Sequence, residues 1–433
     1  MSSKRKSSAT TSGRSLLKPK LRFPEFKDSD SWKEIPLQKL ASPVADRATT
    51  LDAENVLSLS GEHGLVLQSD YFGKKIAGDN TDRYLKIRKD DFVYNDRTTK
   101  ASSYGTIKRL SNYSDGIVSP IYKCFRFQPS ENPTFWEWYF ESGSHDPALR
   151  GLINEGARAG RFNISVTQFL STNAWRPDNA EQQKIADCLD TVNALIEAQG
   201  RKVEVLKAHK KGLMQQLFPK EDETQPRLRF PEFEGSGEWE VKTLGAVGRV
   251  IRGASPRPKG DPRYYGGAVP RLMVQDVTRD GKWVTPSVDT LTEAGARLSR
   301  PCPAGTLTIV CSGAVGVVSF LAVDACIHDG FLALVDIDES IATKDFIFHV
   351  LSTLREQFER GATHGGVFTN LTTTSIDLFE FKCPSTPEQH RIADCLTSLD
   401  DLIAAETRKL DTLKIHKTGL MQQLFPKGGE DDA

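Results

Sequence analysis

The 433-residue sequence lacks any apolar run of about 18 residues or more, so nothing in it predicts a membrane-spanning helix. None of its seven cysteines forms a Cys-x-x-Cys pair. Buried free thiols in a reducing compartment are the expectation for Cys188, Cys302, Cys311, Cys326, Cys383 and Cys395. The phosphate-cradling pattern G-x-x-x-x-G-K-[ST] is absent, so any ATP-driven motor must lie on another chain. Histidines do not cluster at metal-ligand spacing, and no metal is expected. Net charge is absent too, with 57 basic and 57 acidic residues, so the overall basic footprint of many nucleic-acid binders is missing. Met1 to Lys20 has no apolar segment of the secretory kind and reads as a disordered basic tail. A cytoplasmic location is the resulting expectation. With 38% hydrophobic and 26% charged residues, the composition is that of a globular protein of several domains.

What the sequence does have is a long internal repeat. Leu21-Arg-Phe-Pro-Glu-Phe26 returns as Leu228-Arg-Phe-Pro-Glu-Phe233, and Trp32 returns as Trp239. Glu181–Lys220 returns as Glu388–Lys427, with 25 identities in 40 ungapped positions and a constant offset of 207. Between these segments, Lys33–Asn179 and Glu240–Thr386 share little. Two similar frames carry two different inserts.

The repeated segments predict long helices. Apolar residues step by four and three: Ile185, Leu189, Val192, Ile196, Val203, Leu206, Leu213 and Leu217 in the first copy. The second copy gives Ile392, Leu396, Leu399, Ile403, Leu410, Leu413, Leu420 and Leu424. This is a heptad seam, interrupted by Gln199 and Lys210, and by Glu406 and Lys417 at equivalent places. Asn179 and Thr386 are the expected N-caps, Gln389 a capping-box glutamine, and Pro219 and Pro426 the stops. Each helix should span roughly 57 Å at 1.5 Å per residue. An antiparallel coiled coil about a pseudo-two-fold axis is the expected arrangement.

The inserts predict mixed α/β domains with a largely antiparallel sheet, from short apolar runs at Asp91–Tyr94, Gly116–Tyr122, Leu307–Val310 and Phe331–Val335. Thr134–Phe140 and Thr343–Glu359 read as helices. The predicted layout is a basic tail (1–20), a first insert domain (21–178), a first helix (179–219), a linker (220–227), a second insert domain (228–385), a second helix (386–427) and an acidic tail (428–433).

Charge is unevenly placed. Lys74–Arg109 holds ten Lys/Arg against five Asp, and Val247–Arg279 holds seven against two. Hydrogen-bonding and aromatic residues are interleaved, which suits phosphate contact and base-edge reading. The candidates are Lys74, Lys75, Asn95, Arg97, Thr98, Lys100 and Tyr104, with Arg158, Arg161 and Asn163 on a Gly-rich loop. In the second insert they are Arg252, Ser255, Arg257, Lys259, Arg263, Tyr264, Gln275, Ser312, His364 and Asn370. Basic stretches are more often solvated faces; their duplication on one frame favours contact with DNA.

With its doubled LRFPEF lead-in before tryptophan, its P-x-x-x-E-Q-x-x-I-A helix start and its G-L-M-Q-Q-L-F-P close, the sequence resembles the specificity subunits of Type I restriction-modification enzymes from Leu21 to Lys427. Tyr71-Phe-Gly-Lys-Lys-Ile-Ala77 and Gly116-Ile-Val-Ser-Pro120 look like one kind of target recognition domain; Tyr264-Tyr-Gly-Gly267 and Cys311-Ser-Gly-Ala-Val-Gly316 look like another. The resemblance implies two target recognition domains that each read half of a split site in double-stranded DNA. It implies an antiparallel helical spacer and no catalysis in this chain. Two modification subunits would carry S-adenosylmethionine and methylate adenine; two restriction subunits can add ATP- and Mg-dependent translocation and cleavage. Base contacts do not transfer between such domains, and the basic tail is longer than the family frame needs.

A methyltransferase in its own right would need an N-P-P-[YF] loop, and the nearest match, Asn132-Pro-Thr-Phe135, lacks the second proline. Pro177-Asp178 with Glu181 and Lys184 faintly resembles a nuclease site, but the acids fit capping of a helix. His209 and His416 are repeat partners expected at the surface or an interface. A coiled-coil scaffold explains the helices but not two dissimilar inserts; a DNA-binding adaptor without restriction function is the other alternative reading.

Overall fold

The computed structural model describes residues 17–49, 55–73, 81–98, 102–152, 162–220, 222–363 and 371–426, with side chains left out at 72 and 354–363. Both expected tails lie largely or wholly outside these residues. The fold is mixed α/β and divides into two units, residues 1–200 with 408–433 and residues 201–407.

Unit 1 has two four-stranded sheets. One joins Ala41–Pro43, Lys123–Phe127, Phe92–Asn95 and Thr106–Arg109, all antiparallel. The other joins Gly64–Leu67, Val56–Ser60, Asp115–Val118 and Leu85–Arg88, with one parallel pairing. The first sheet is buried on both faces. Phe92, Tyr94, Phe125 and Phe127 point into a core with Trp32, Phe135, Trp136 and the helix residues Ile185 and Leu189. Val93 and Cys124, one position out of phase, point into a second core. Alternation of side chains along a strand requires this, and it explains the unbroken apolar run in the sequence.

Unit 2 solves the same problem with different sheets. Five strands run in the order Arg249–Arg252, Phe331–Val335, Leu307–Val310, Val318–Leu321 and Trp283–Val284. Four more are Asp289–Leu291, Tyr265–Leu272, Ala325–Ile327 and Arg300–Cys302. Leu332 and Leu334 face a core with Trp239, Phe346, Ile392 and Leu396. Phe331 and Ala333 face another with Leu272 and Ile327.

Around these different sheets the frame repeats. Lys33–Pro36 pairs with Asn173–Arg176 in unit 1, and Glu240–Thr243 with Glu380–Cys383 in unit 2, each antiparallel. The lead-in arginine forks onto the first turn of a long helix in each: Arg22 on Glu181 at 2.8 and 2.7 Å, Arg229 on Glu388 at 2.8 and 2.8 Å.

The long helices span Asn179–Leu217 and Thr386–Leu424, 39 residues each. None of the twenty seam positions is exposed. Within unit 1 the start of the first helix lies beside the end of the second, with Lys417 donating to Asn193 at 2.7 Å. Within unit 2, Lys210 donates to Asp400 at 2.5 Å. The polar seam residues are thus partnered rather than stranded.

The caps differ from expectation. Asn179 is the first helical residue, and Asp178 caps by accepting from the Glu181 amide at 2.8 Å. Thr386 is likewise inside the second helix. Gln389 does not close a capping box: fully buried, it accepts from the Thr343 amide at 2.8 Å and donates to Ile341 and Pro384 carbonyls. Burial decides this, because a buried amide must satisfy both ends and the adjacent turn supplies partners that a cap cannot. No described helix is long and apolar enough to cross a membrane. All seven cysteines are free, five buried and Cys188 and Cys395 half-buried.

Candidate nucleic-acid interface

In unit 1 the strand Phe92–Asn95 runs into Asp96, a fully buried carboxylate. Asp96 takes the Lys123 ammonium at 2.7 Å and the Ile164 amide at 3.1 Å, while its carbonyl accepts from Phe162 at 3.2 Å. That clamp brings together two stretches nominated separately from sequence. Arg97 and Asn163 are both exposed, immediately beyond it. Asn163 has φ +56°, a left-handed conformation that asparagine tolerates better than most residues. Gly105, at φ +87°, lies opposite; a Cβ there would come within 2.4 Å of the Asn95 carbonyl.

Three candidates in this unit are half-buried rather than exposed. Tyr104 is half-buried against the core, its carbonyl accepts from Tyr94 at 2.9 Å, and its hydroxyl accepts from Arg150 at 3.0 Å. Asn95 closes the strand with its Oδ1 buried and without a hydrogen-bond partner in the structure. Thr98 is half-buried beside Arg97.

In unit 2 four segments converge. Gly253 donates to the Phe331 carbonyl at 2.9 Å and Ala254 to Ile327 at 3.1 Å, laying the Arg252–Arg257 loop across the turn 328–330. Cys311 donates to Gly330 at 2.9 Å, and Leu371 to Cys311 at 3.3 Å, which places Ser312 at the same end of the sheet. Asp329 organises the cluster. Its Oδ1 accepts from Ser255 at 2.6 Å, its Oδ2 faces Arg257 at 3.4 Å, and its carbonyl accepts from Arg252 at 3.1 Å. The Ser255 hydroxyl, first among several causes, holds this carboxyl below the usual aspartate range. Behind it, Arg271 is 5% exposed and donates to Ser255 at 2.7 Å and Asp289 at 2.5 Å. His328 accepts from the Gly330 amide through Nδ1 at 2.8 Å, and burial, then nearby Arg271, pushes its pKa down. With Met273, Gln275 and Arg279, His328 lines an open depression of about 640 Å³.

The packing at Gly253 leaves no room for a side chain: a Cβ would lie 2.1 Å from the His328 carbonyl oxygen. Gly253→Ala is expected to displace the Arg252–Arg257 loop and abolish duplex binding through unit 2, with binding through unit 1 retained. Separate half-site duplexes would measure this, and equal binding of the unit 2 half-site by the variant would refute it.

Lys259 and Arg263 are exposed, and Tyr264 is half-buried under Arg263 at 5.4 Å. Arg263 is also forked onto Asp261 at 2.7 Å. The candidates Lys74, Lys75, Lys100, Arg158, Arg161, His364 and Asn370 lie outside the described residues. Counting charge along the chain overstates both patches. Lys108 pairs with Glu141, Arg109 with Glu137 and Asp90, Arg249 with Asp336, and Arg279 with Asp280. Glu137, Glu141 and Asp336, distant in sequence, and the nearer Asp90 and Asp280 offset them, while Arg97 and Arg257 stay exposed.

The features weighed as catalytic have structural duties. Asn132 caps Pro133–Glu141, accepting from the Phe135 amide at 3.0 Å and donating to Gln183. Glu181 is held by Arg22, and Lys184 reaches Glu25 at 3.0 Å. His209 and His416 are exposed. Among the described residues no group of three or more His, Cys, Asp or Glu could hold a metal.

Sequence reading missed Asp96, Arg271 and Asp329, the groups that hold the nominated loops. Arg271 was counted only as patch charge, and nothing local distinguishes a buried arginine from an exposed one.

Residues 236–414 match the model of the Type I restriction modification DNA specificity domain. The chain is 27% identical over 266 residues to the type I restriction enzyme MjaX specificity subunit of Methanocaldococcus jannaschii, covering 61% of this chain and 60% of the relative. It is 27% identical over 184 residues to the EcoR124I/EcoR124II specificity subunit of Escherichia coli, 41% of this chain and 44% of the relative. These alignments therefore span about half the length of the relatives. Among solved structures, a chain of a type I R-M system superposes with TM-score 0.53 at 18% identity, covering 91% of this chain and 97% of that one. The Type I restriction-modification S subunit of M. genitalium gives TM-score 0.57 at 14% identity, covering 95% and 100%. Residues 236–414 thus resemble the Type I restriction modification DNA specificity domain, and the chain as a whole is similar to Type I specificity subunits.

Proposed function

We propose that this chain is a sequence-specific DNA-binding specificity subunit that reads a bipartite target, one half through each unit, and performs no chemistry itself. The observation that carries this reading is the repeated frame around dissimilar sheets. The same strand pairing and arginine–glutamate fork recur at an offset of 207, yet the loops they hold differ. One frame with two contents suits two different half-sites. A scaffold has no need of different contents.

The long helices would act as an antiparallel spacer that fixes the unread gap. Modification subunits would dock one per half, with restriction subunits added to that complex. S-adenosylmethionine, ATP and Mg would be bound by those partners. Leu195 and Leu402, equivalent positions on the two helices, are 53% and 41% exposed, which suits two equal docking sites.

The test is co-expression with modification subunits and sequencing of methylated adenines. A split motif with one methylated adenine per half, lost when this chain is deleted, is the expected result. Methylation that persists unchanged without the chain would overturn it. Arg97→Ala and Arg257→Ala should each weaken cognate binding by about 1–3 kcal/mol with the complex intact. Full sequence-specific binding by both variants, measured across a salt series, would remove these two loops from the interface.

A further inference from the structure

We propose that Asp329 is a specificity-determining residue of unit 2, accepting a hydrogen bond from the exocyclic amino group of a base, cytosine N4 or adenine N6. The inference rests on the DNA-reading role above.

Three neighbouring carboxylates are closed off. Asp261 is 15% exposed under Arg263 at 2.7 Å, and Asp289 is 29% exposed under Arg271 at 2.5 Å. Asp276 is fully buried and accepts from the Ser287 and Val288 amides. Asp329 is 51% exposed, and its arginine partner stands off at 3.4 Å. A charge-assisted bond is normally about 2.7–2.9 Å. Its Oδ1 is held by a neutral group, the Ser255 hydroxyl, itself fixed by buried Arg271, with His328 Nδ1 farther off at 3.5 Å. The arrangement spends little of the carboxylate's capacity. An ionised carboxylate accepts at about four lone-pair positions, so this half-exposed group has capacity left for another donor.

An outward carboxylate opposes binding of any polyanion. On a surface that meets phosphates it lowers affinity for every duplex, unless the base edges return a donor. In the major groove those donors are cytosine N4 and adenine N6. Arg257 beside it has the complementary capacity for guanine O6 and N7. The rigid support fits this use. Asp329 stands in the turn between Ala325–Ile327 and Phe331–Val335, with its carbonyl accepting from Arg252.

The experiment selects bound duplexes from a pool randomised over both half-sites, using the full chain assembled with modification subunits. Wild type is compared with Asp329→Asn and Asp329→Ala. Asparagine preserves shape and an oxygen toward Ser255, but replaces an acceptor by a donor. Wild type should demand a particular amino-bearing base at one position, and that base tells cytosine N4 from adenine N6. Both variants should lose that demand about ten-fold or more, with the remaining positions and the other half-site unchanged. Unaltered preference at every position would overturn the assignment. So would an even loss across the half-site, which is the signature of a residue that merely braces its loop. A wild-type complex with no sequence preference would instead overturn the DNA-reading role itself.

Discussion

Replacing Arg229 by alanine should cost unit 2 about 3–5 kcal/mol of folding stability. The fork onto Glu388 is the reason. Glu388 is 1% exposed, and the guanidinium meets both of its oxygens. Without Arg229 the carboxylate stays buried without its counter-charge, and desolvation of an unpaired ion outweighs the lost attraction itself. Arg229 also donates to the Ser236 carbonyl at 2.8 Å, so the lead-in turn loses an internal brace together with its tether to the helix start. The opposite control is Arg249→Ala. Its pair with Asp336 has both side chains about two-thirds exposed, and its loss should cost under about 1 kcal/mol. Urea unfolding followed by hydrogen exchange separates the units. A loss under about 1 kcal/mol for Arg229→Ala would mean that water or a neighbour replaces the guanidinium. Arg229→Met with Glu388→Leu should recover most of the deficit, because the apolar pair leaves no buried charge.

Acid should weaken both units, chiefly through one deeply buried histidine in each, with His328 adding to unit 2. His145 in unit 1 and His349 in unit 2 are held near a pKa of about 3, in both cases first by burial. Thr172 stands 3.0 Å from the His145 Nε2, and Thr397 stands 3.2 Å from that of His349. In the unfolded chain each titrates near 6.5. Above that pH both states are neutral and the histidines contribute no pH dependence. As pH falls from about 6.5 toward 3, the unfolded chain takes up a proton that the folded chain refuses, and stability drops by about 1.4 kcal/mol per pH unit per histidine. At pH 4 this is on the order of 3 kcal/mol in each unit. His145→Gln should flatten the acid slope of unit 1 alone, and His349→Gln that of unit 2 alone. Slopes unchanged by both substitutions would assign acid sensitivity to His328 and the carboxylates.

The long helices were legible because their pattern survives substitution: a 4–3 step of apolar residues has one geometric reading over 39 residues. The central strands were legible because sheets buried on both faces need continuous apolar runs, as in Phe331–Val335. What escaped was every decision made by a distant partner. Arg109 is neutralised by Glu137, and Arg249 by Asp336, 87 residues away. Gln389 abandons a cap for the 341–343 turn. Tyr104 reads as an exposed aromatic in a basic stretch, yet its ring packs on the core. Local sequence states what a side chain can bond, and the fold decides which bond it makes.

The division of the chain carries a consequence for the order of synthesis. Unit 2 is one contiguous stretch, 201–407, whereas unit 1 needs residues 408–426 as well as the first two hundred. Leu424 and Phe425 are 1% exposed in the unit 1 core, and the Phe425 ring meets Trp32 at 6.2 Å and Phe135 at 5.7 Å. Leu21 donates to the Gln423 carbonyl at 2.9 Å. On the ribosome, then, the domain made first is completed last. The side of its aromatic core that Leu424 and Phe425 cover stays open while the whole of unit 2 is translated, and a chain cut short after residue 407 should lack that cover while keeping all of unit 2.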